Sequence, residues 1–298
     1  MKSEKKELSI GGQAVIEGVM MKGERNVSVA MRLLDGKIKV HDKRIGGFID
    51  EHRWLKFPFI RGITNLIQML YIGMWALFYS ANEQVDEKEK EKLTVFHLVI
   101  SLLMALFFAL LLFKLLPLGI TKLLQHYNLI GSNRFVFNLI DGAIRIIIFI
   151  AYILVISLMK DVRLLFQYHG AEHKAVNCYE AKKKLTLENV KKYSTIHRRC
   201  GTSFMLLVLL IAILVFSLVP VNLPFFVLLA YRLPLILPIA SIAYELLKLG
   251  SRYPKNPFFL LLVRPGMFLQ KITTREPDEK QMEVAIAAIN GTLNAEST

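Results

Sequence analysis

Four stretches of this chain are too long and too apolar to be surface elements of a water-soluble domain. Residues 95–116 and 135–159 each supply the roughly 20 apolar residues that a membrane-crossing helix needs, the second broken only by Asp141 and Arg145. Residues 204–219 form a slightly shorter block that runs into the turn at 220–224. Residues 225–248 follow, with Pro234 and Pro238 inside; prolines kink a membrane helix without forbidding it when neighbours satisfy the freed carbonyls. Hydrophobic residues make up 54% of the 298 positions, and they gather in these blocks instead of recurring at helix or strand spacing. The expected fold class is an α-helical polytopic membrane protein with four transmembrane helices.

The basic residues orient those helices. Lysine and arginine number 16 in residues 1–94, 2 in 118–134, 10 in 160–203, none in 220–224 and 6 in 249–298. Basic residues mark cytoplasmic loops, so both termini and the 160–203 loop lie inside, in a multi-pass protein of the plasma membrane. The formal charge of +14 flanks the apolar blocks, which suits an anionic inner leaflet. Without a nucleic-acid-binding motif beside it, that charge excludes nucleic acid as the expected partner. Membrane lipids and other membrane proteins are the expected partners. Two cysteines, Cys178 and Cys200, fall in the cytoplasmic loop, where a structural disulfide is disfavoured. The charged start of the chain has no apolar run behind it, so no cleavable signal peptide is expected.

Residues 1–56 read as a small cytoplasmic β unit. Residues 26–34 and 37–44 alternate apolar and polar side chains across Asp35-Gly36, a two-residue hairpin signal. Residues 10–21 add a third strand. Residues 57–94 follow as an interfacial helix (57–79) and a charged linker that includes the run 83–92. Pro58, Arg61, Gly62, Asn65 and Gln68 suit a helix lying at the membrane surface better than one crossing it. The membrane domain spans 95–250. Residues 251–298 hold a second interfacial segment, 257–270, interrupted at Arg264-Pro265-Gly266, and a soluble amphipathic helix over 277–289. Pro277 suits that helix's first turn and Gly291 its stop.

One constellation carries chemistry. His169-Gly-Ala-Glu172-His173 follows the second apolar block with H-x-x-E-H spacing. On a helix the two histidines share a face and can ligate one metal, with Glu172 beside them as a general base toward water. Solvated polar residues near the headgroups would give the same pentapeptide, and Gly170 weakens a helix there. Antiparallel packing of the second and third blocks would bring His197-Arg-Arg-Cys200 alongside, so that Cys200 or His197 completes a three-ligand set; Cys178 is a lesser choice. The mixed nitrogen and sulfur donors point to a divalent metal, zinc. Glu245 is either a further carboxylate ligand or an interfacial glutamate paired with Lys248. Gly12, Gln13 and Glu17, in GGQAVIEGVMMKG, make either a binding loop or a glycine-bounded strand. Asp141 and Arg145, spaced i, i+4, read as an intramembrane pair that neutralises itself.

GGQAVIEGVMMKG, HGAEHKAVNCYE, HRRCGTSF, AYELLK and RPGMFLQKITTREP together resemble the bacterial YqhQ-like membrane proteins, which have relatives in plastid-containing organisms. The likeness spans nearly the whole chain. That family is a domain of unknown function carrying a metal-dependent-enzyme label, and the resemblance implies roles for His169, Glu172, His173, His197, Cys200 and Glu245 without implying a reaction. The expected function is a metal-dependent membrane enzyme, a zinc-dependent hydrolase of a lipid or membrane-associated peptide at the cytoplasmic face. The alternatives are a non-catalytic membrane scaffold with a structural His/Cys cluster and, third, a small transporter.

Overall fold

The computed structural model describes residues 8, 10–45, 52–85, 95–131, 133–253 and 255–297. Near the N-terminus lies a four-stranded antiparallel meander of β1 (Gly11–Val15), β2 (Gly18–Lys22), β3 (Asn26–Arg32) and β4 (Ile38–Arg44), in that spatial order. The β3–β4 hairpin turns at Asp35-Gly36 as expected, but through three loop residues instead of two. Leu33 N–H donates to Lys37 O and Gly36 N–H to Leu33 O, both at 2.9 Å, with Gly36 at φ 84°. This is the three-residue loop that needs a left-handed last residue, which glycine adopts without cost. Residues 10–21 form not one strand but most of two, reversing at Ile16-Glu17. Glu17 sits at φ 50°, a conformation a glutamate seldom adopts, so no glycine or asparagine announces this turn.

Both faces of the sheet are covered. Val19, Met21 and Ala30 pack toward a helix pair, α5 (Lys160–Glu180) and α11 (Glu279–Ser297). Val15, Met20, Val27, Val29 and Met31 pack on the opposite face against Ile72 and Ala76 of α1 (Ile60–Glu83). The near-continuous apolar run of β3 follows from this double burial, since only a one-sided sheet needs a polar face. The segment read as interfacial thus forms α1, and its Gly62, Ile72, Gly73, Ala76 and Ser80 are buried against protein. Of the charged run that follows, residues 86–92 lie outside the described residues.

α11 starts later and ends later than the sequence suggests. Asp278 and Gln281 form a capping box, with Gln281 N–H on Asp278 Oδ1 at 2.8 Å and Asp278 N–H on Gln281 Oε1 at 2.9 Å. Gly291 does not stop the helix. A Cβ there would lie 2.9 Å from Val40 Cγ1 and 3.2 Å from Ser28 Cβ, so the glycine lets the helix lie on the sheet.

The apolar blocks fold into helices. α2 (Val95–Leu110) runs through a π-helical turn, Leu111–Leu115, into α3 (Leu116–His126), so the first block extends past residue 116. α4 (Arg134–Ile156) is capped by Asn133, whose Oδ1 accepts from Phe135 N–H at 2.9 Å and Val136 N–H at 3.2 Å. After α5 come α6 (Leu187–Lys191), α7 (Gly201–Phe216), α8 (Phe225–Arg232), α9 (Ile236–Arg252) and α10 (Pro257–Thr273). Among the described residues, Val99–His126 and Arg134–Ile156 are long and apolar enough to cross a membrane. The pair Phe225–Arg232 and Ile236–Gly250, bent by 41°, makes a third if it counts as one broken span. Gly201–Phe216, with 16 residues, rises only about 24 Å, short of the hydrocarbon thickness of about 30 Å. Length and composition therefore support two or three crossings where the apolar blocks suggest four.

α10 also departs from expectation, because it continues unbroken through Arg264-Pro265-Gly266. The packing explains it. A Cβ on Gly266 would stand 2.4 Å from Ser203 Cα, so glycine lets α10 lie directly on α7, and that contact holds the helix across Pro265.

Candidate metal centre

α5 carries the H-x-x-E-H segment, and Gly170 has a role there beyond weakening a helix. The chain leaving α10 crosses α5 so closely that a Cβ on Gly170 would meet Arg275 O at 2.0 Å. Arg275 N–H donates to Phe166 O at 2.9 Å, and Lys174 Nζ reaches Glu276 Oε1 at 2.5 Å, fastening the crossing on both sides.

The crossing delivers a carbonyl to the first histidine: His169 Nδ1 lies 2.9 Å from Thr273 O. The loop before α7 does the same for the second, placing Thr195 O 2.6 Å from His173 Nδ1. A carbonyl oxygen only accepts, so each Nδ1 carries the hydrogen and each Nε2 presents its lone pair. This is the outer-shell arrangement that orients metal-ligating imidazoles.

Cys200 completes the group from the N-cap of α7. Its Sγ lies 3.2 Å from His169 Nε2 and accepts Thr202 N–H at 3.5 Å. Ligand atoms of His169, His173 and Cys200 all fall within 4.8 Å of one another. Glu172 Oε2 stands 3.4 Å from His173 Nε2, just outside that trio. Lone pairs from two imidazoles and a sulfur therefore face one small volume with a carboxylate at its edge, a donor set suited to a cation. Nitrogen and thiolate donors fit zinc.

The group opens on a cavity of about 220 Å³ whose walls include Gly11, Gly12, Arg199 and His197. Gly12 is needed there: a Cβ would come within 2.3 Å of Met20 O and 3.2 Å of Glu172 Cγ. Glu172 and His173 are themselves buried.

The remaining candidates sit elsewhere. His197 lines the cavity, yet its Nε2 faces Glu180 Oε1 at 3.2 Å. Gln270 clamps its backbone, accepting His197 N–H and donating to His197 O, each at 2.8 Å. Burial alone would raise the Glu180 carboxyl, but its bonds to His197 and Arg199 outweigh burial and hold it below the usual range. Glu245 is not brought to the cluster. It accepts Arg61 Nε at 2.7 Å, Arg61 Nη2, and Phe59 N–H at 3.2 Å, pinning the strained start of α1 where Phe59 stands at φ 68°. Gln13 Nε2 donates to Gly73 O at 3.1 Å, tying β1 to α1. Glu17 accepts Tyr168 O–H at 3.1 Å, one residue before His169, and burial with the nearby carboxylate pushes that phenol well above its ordinary range. Cys178 is buried in the core under α11, and burial raises its thiol.

Asp141 and Arg145 do pair, at 2.7 Å, but not alone. Arg232 of α8 also donates to Asp141 Oδ2 at 3.1 Å, and to Asn138 Oδ1 at 2.5 Å. Sequence spacing does not reveal Arg232, nor the carbonyls of Thr195 and Thr273. The one signal for the latter is the polar stretch Gln270–Thr274 inside RPGMFLQKITTREP.

Residues 57–295 match the family described as Protein of unknown function (DUF1385). The chain is 32% identical over 305 positions to the uncharacterized protein YqhQ of Bacillus subtilis (strain 168), covering 96% of this chain and 93% of that protein. No solved structure matches it.

Proposed function

This chain belongs to the family described as Protein of unknown function (DUF1385), so its chemistry rests on its own side chains, and we propose that it is a zinc-dependent hydrolase at the cytoplasmic surface of the plasma membrane. Its substrate on this reading is a lipid or a membrane-associated peptide. The observation that carries the proposal is the convergence of His169, His173 and Cys200 within 4.8 Å, beside Glu172 and open to a cavity. Zinc held there would supply Lewis-acid polarisation and would lower the pKa of water. The side chains do the rest. His169 and His173 are locked by carbonyl bonds with Nε2 turned inward, and Cys200 adds a sulfur donor. Glu172, buried beside the trio, takes a proton from attacking water and returns it to the leaving group. Gly11, with nothing within 4 Å of a built Cβ, leaves room for a substrate backbone or headgroup.

The membrane part rests on α2 and α3. Phe96, Leu102 and Phe108, about a third of a turn apart around α2, are 69%, 49% and 49% exposed, and apolar residues open on all sides of a helix are stable in lipid. The finer topology has four spans and both termini inside, counting α7 as a short third span and α8–α9 as a broken fourth. Protein purified without chelators should hold about one zinc per chain, and the His169→Ala/His173→Ala variant should hold none. Full occupancy in that variant would refute the site.

A further inference from the structure

A second cavity, of about 300 Å³, opens between the sheet, the first turns of α1 and the end of α9. Its charge is one-sided. Among the described residues, Lys22, Lys56, Arg61 and Lys248 line it with one carboxylate, Glu24, and Thr64 and Asn65 add neutral polar groups. Even with Glu245 counted behind Arg61, cations outnumber carboxylates two to one. Arg61 is fixed in the wall by its fork on Glu245, with Nε to Oε1 at 2.7 Å. Asn65 is fixed too, donating to Tyr244 Oη at 3.0 Å.

Exposed apolar residues neighbour the cavity-lining ones along the chain. Trp54, Phe57 and Phe59 are exposed just before α1, and Ile60, Ile67 and Tyr71 continue as an exposed strip along it. Spaced seven and four residues apart, the last three share one helix face. Exposed aromatic and aliphatic side chains beside clustered lysine and arginine are what a membrane surface meets, acyl chains on the strip and a headgroup in the basic pocket. A soluble phosphate ester would account for the cations but not for the strip.

We infer that this cavity binds the phosphate of an anionic phospholipid headgroup, at a site separate from the His/Cys cluster. The inference rests on the membrane placement proposed above, but not on the metal. Its test is thermal unfolding of the full chain in detergent, titrated with short-chain phosphatidylglycerol, short-chain phosphatidylcholine or inorganic phosphate. Because a ligand that binds only the folded state raises the unfolding temperature, phosphatidylglycerol should give a saturable rise that phosphatidylcholine does not. Lys56 and Lys248 are exposed, so the Lys56→Gln/Lys248→Gln variant should fold, keep its zinc content and lose most of that rise. An equal rise with phosphatidylcholine, or an undiminished rise in the variant, overturns the site. A matching rise with inorganic phosphate alone overturns the lipid assignment in favour of a soluble phosphate. Zinc content measured on the same samples keeps a failure here distinct from a failure of the metal reading.

Discussion

Gly170 and Arg275 touch backbone to backbone: a Cβ on the glycine would stand 2.0 Å from the arginine's carbonyl oxygen. The contact couples the fold to the site, because the chain that crosses here also brings Thr273 O to His169 Nδ1. A side chain at 170 would move the crossing and release that imidazole.

Gly170→Ala should therefore destabilise the protein and loosen its metal together. Overpacking typically costs 1–3 kcal/mol, and a backbone obstacle that cannot rotate away puts this substitution near the upper end. Gly119, in α3, has nothing within 4 Å of a built Cβ, so Gly119→Ala should be neutral or stabilising, by up to about 1 kcal/mol of helix propensity. Thermal unfolding of both variants in detergent, with zinc measured before and after, separates the two. Equal behaviour would mean that the crossing yields.

Glu172 and Cys200 should fail in different ways. Glu172→Gln removes a base that lies outside the converging trio, so zinc should stay while turnover of any identified substrate falls, by the about 10²–10⁴-fold that general bases contribute. Cys200→Ser should instead shed zinc, since a hydroxyl is a far poorer donor than a thiolate. Loss of zinc in Glu172→Gln would make that residue a ligand and remove the case for it as the base.

Local spacing was the readable part of this site. His169 and His173 share a helix face whatever the fold, and Asp35-Gly36 announces its hairpin, because both signals lie within a few residues. Cys200 is one of two residues that spacing offers as a third member of the cluster; its arrival beside His169 depends on α7 beginning next to α5, 31 positions away. Glu245 illustrates the opposite failure. Its place near the end of an apolar block matches the expected depth of the histidines, but depth says nothing about azimuth, and it faces Arg61. The β1–β2 turn is illegible in the sequence because a glutamate occupies its left-handed position. Gly266 and Gly291, which look like breaks, are close-approach positions whose meaning appears only with the partner element in place.

The two cysteines give a readout that needs no substrate. Cys178 is fully buried and its thiol is raised by burial, whereas Cys200, 6% exposed, lines the open cavity. After chelation, iodoacetamide at neutral pH should modify Cys200 well before Cys178, and added zinc should protect Cys200. Mass spectrometry of the modified peptides checks both. Labelling of Cys200 at the same rate with and without zinc would remove it from the ligand set.

The proposed topology makes a prediction at the turns. Single cysteines placed in 127–131 and 220–224 of a Cys178→Ser/Cys200→Ser background should react with an impermeant maleimide applied to intact cells. Cysteines at 182–184 and near either terminus should react only after lysis. Labelling of the 182–184 positions from outside would invert the assignment drawn from the basic residues.

The last prediction concerns the charges inside the apolar region. Spacing alone implies that removing both Asp141 and Arg145 leaves a neutral helix. The structure changes that expectation, because Arg232 shares Asp141 Oδ2 and all three side chains are buried. Asp141→Leu should be the most damaging single change, as it leaves two guanidinium groups without their carboxylate; stranding one buried charge typically costs 3–5 kcal/mol. Asp141→Leu/Arg145→Leu still leaves Arg232 with only the neutral Asn138 Oδ1 at 2.5 Å, so the amount of membrane-inserted protein should stay low. Adding Arg232→Leu removes the last cation of the triad and should restore much of it. Quantitative blotting of the membrane fraction compares the three. Full recovery in the double variant would show that Arg232 finds water or another partner, and the triad would reduce to the i, i+4 pair.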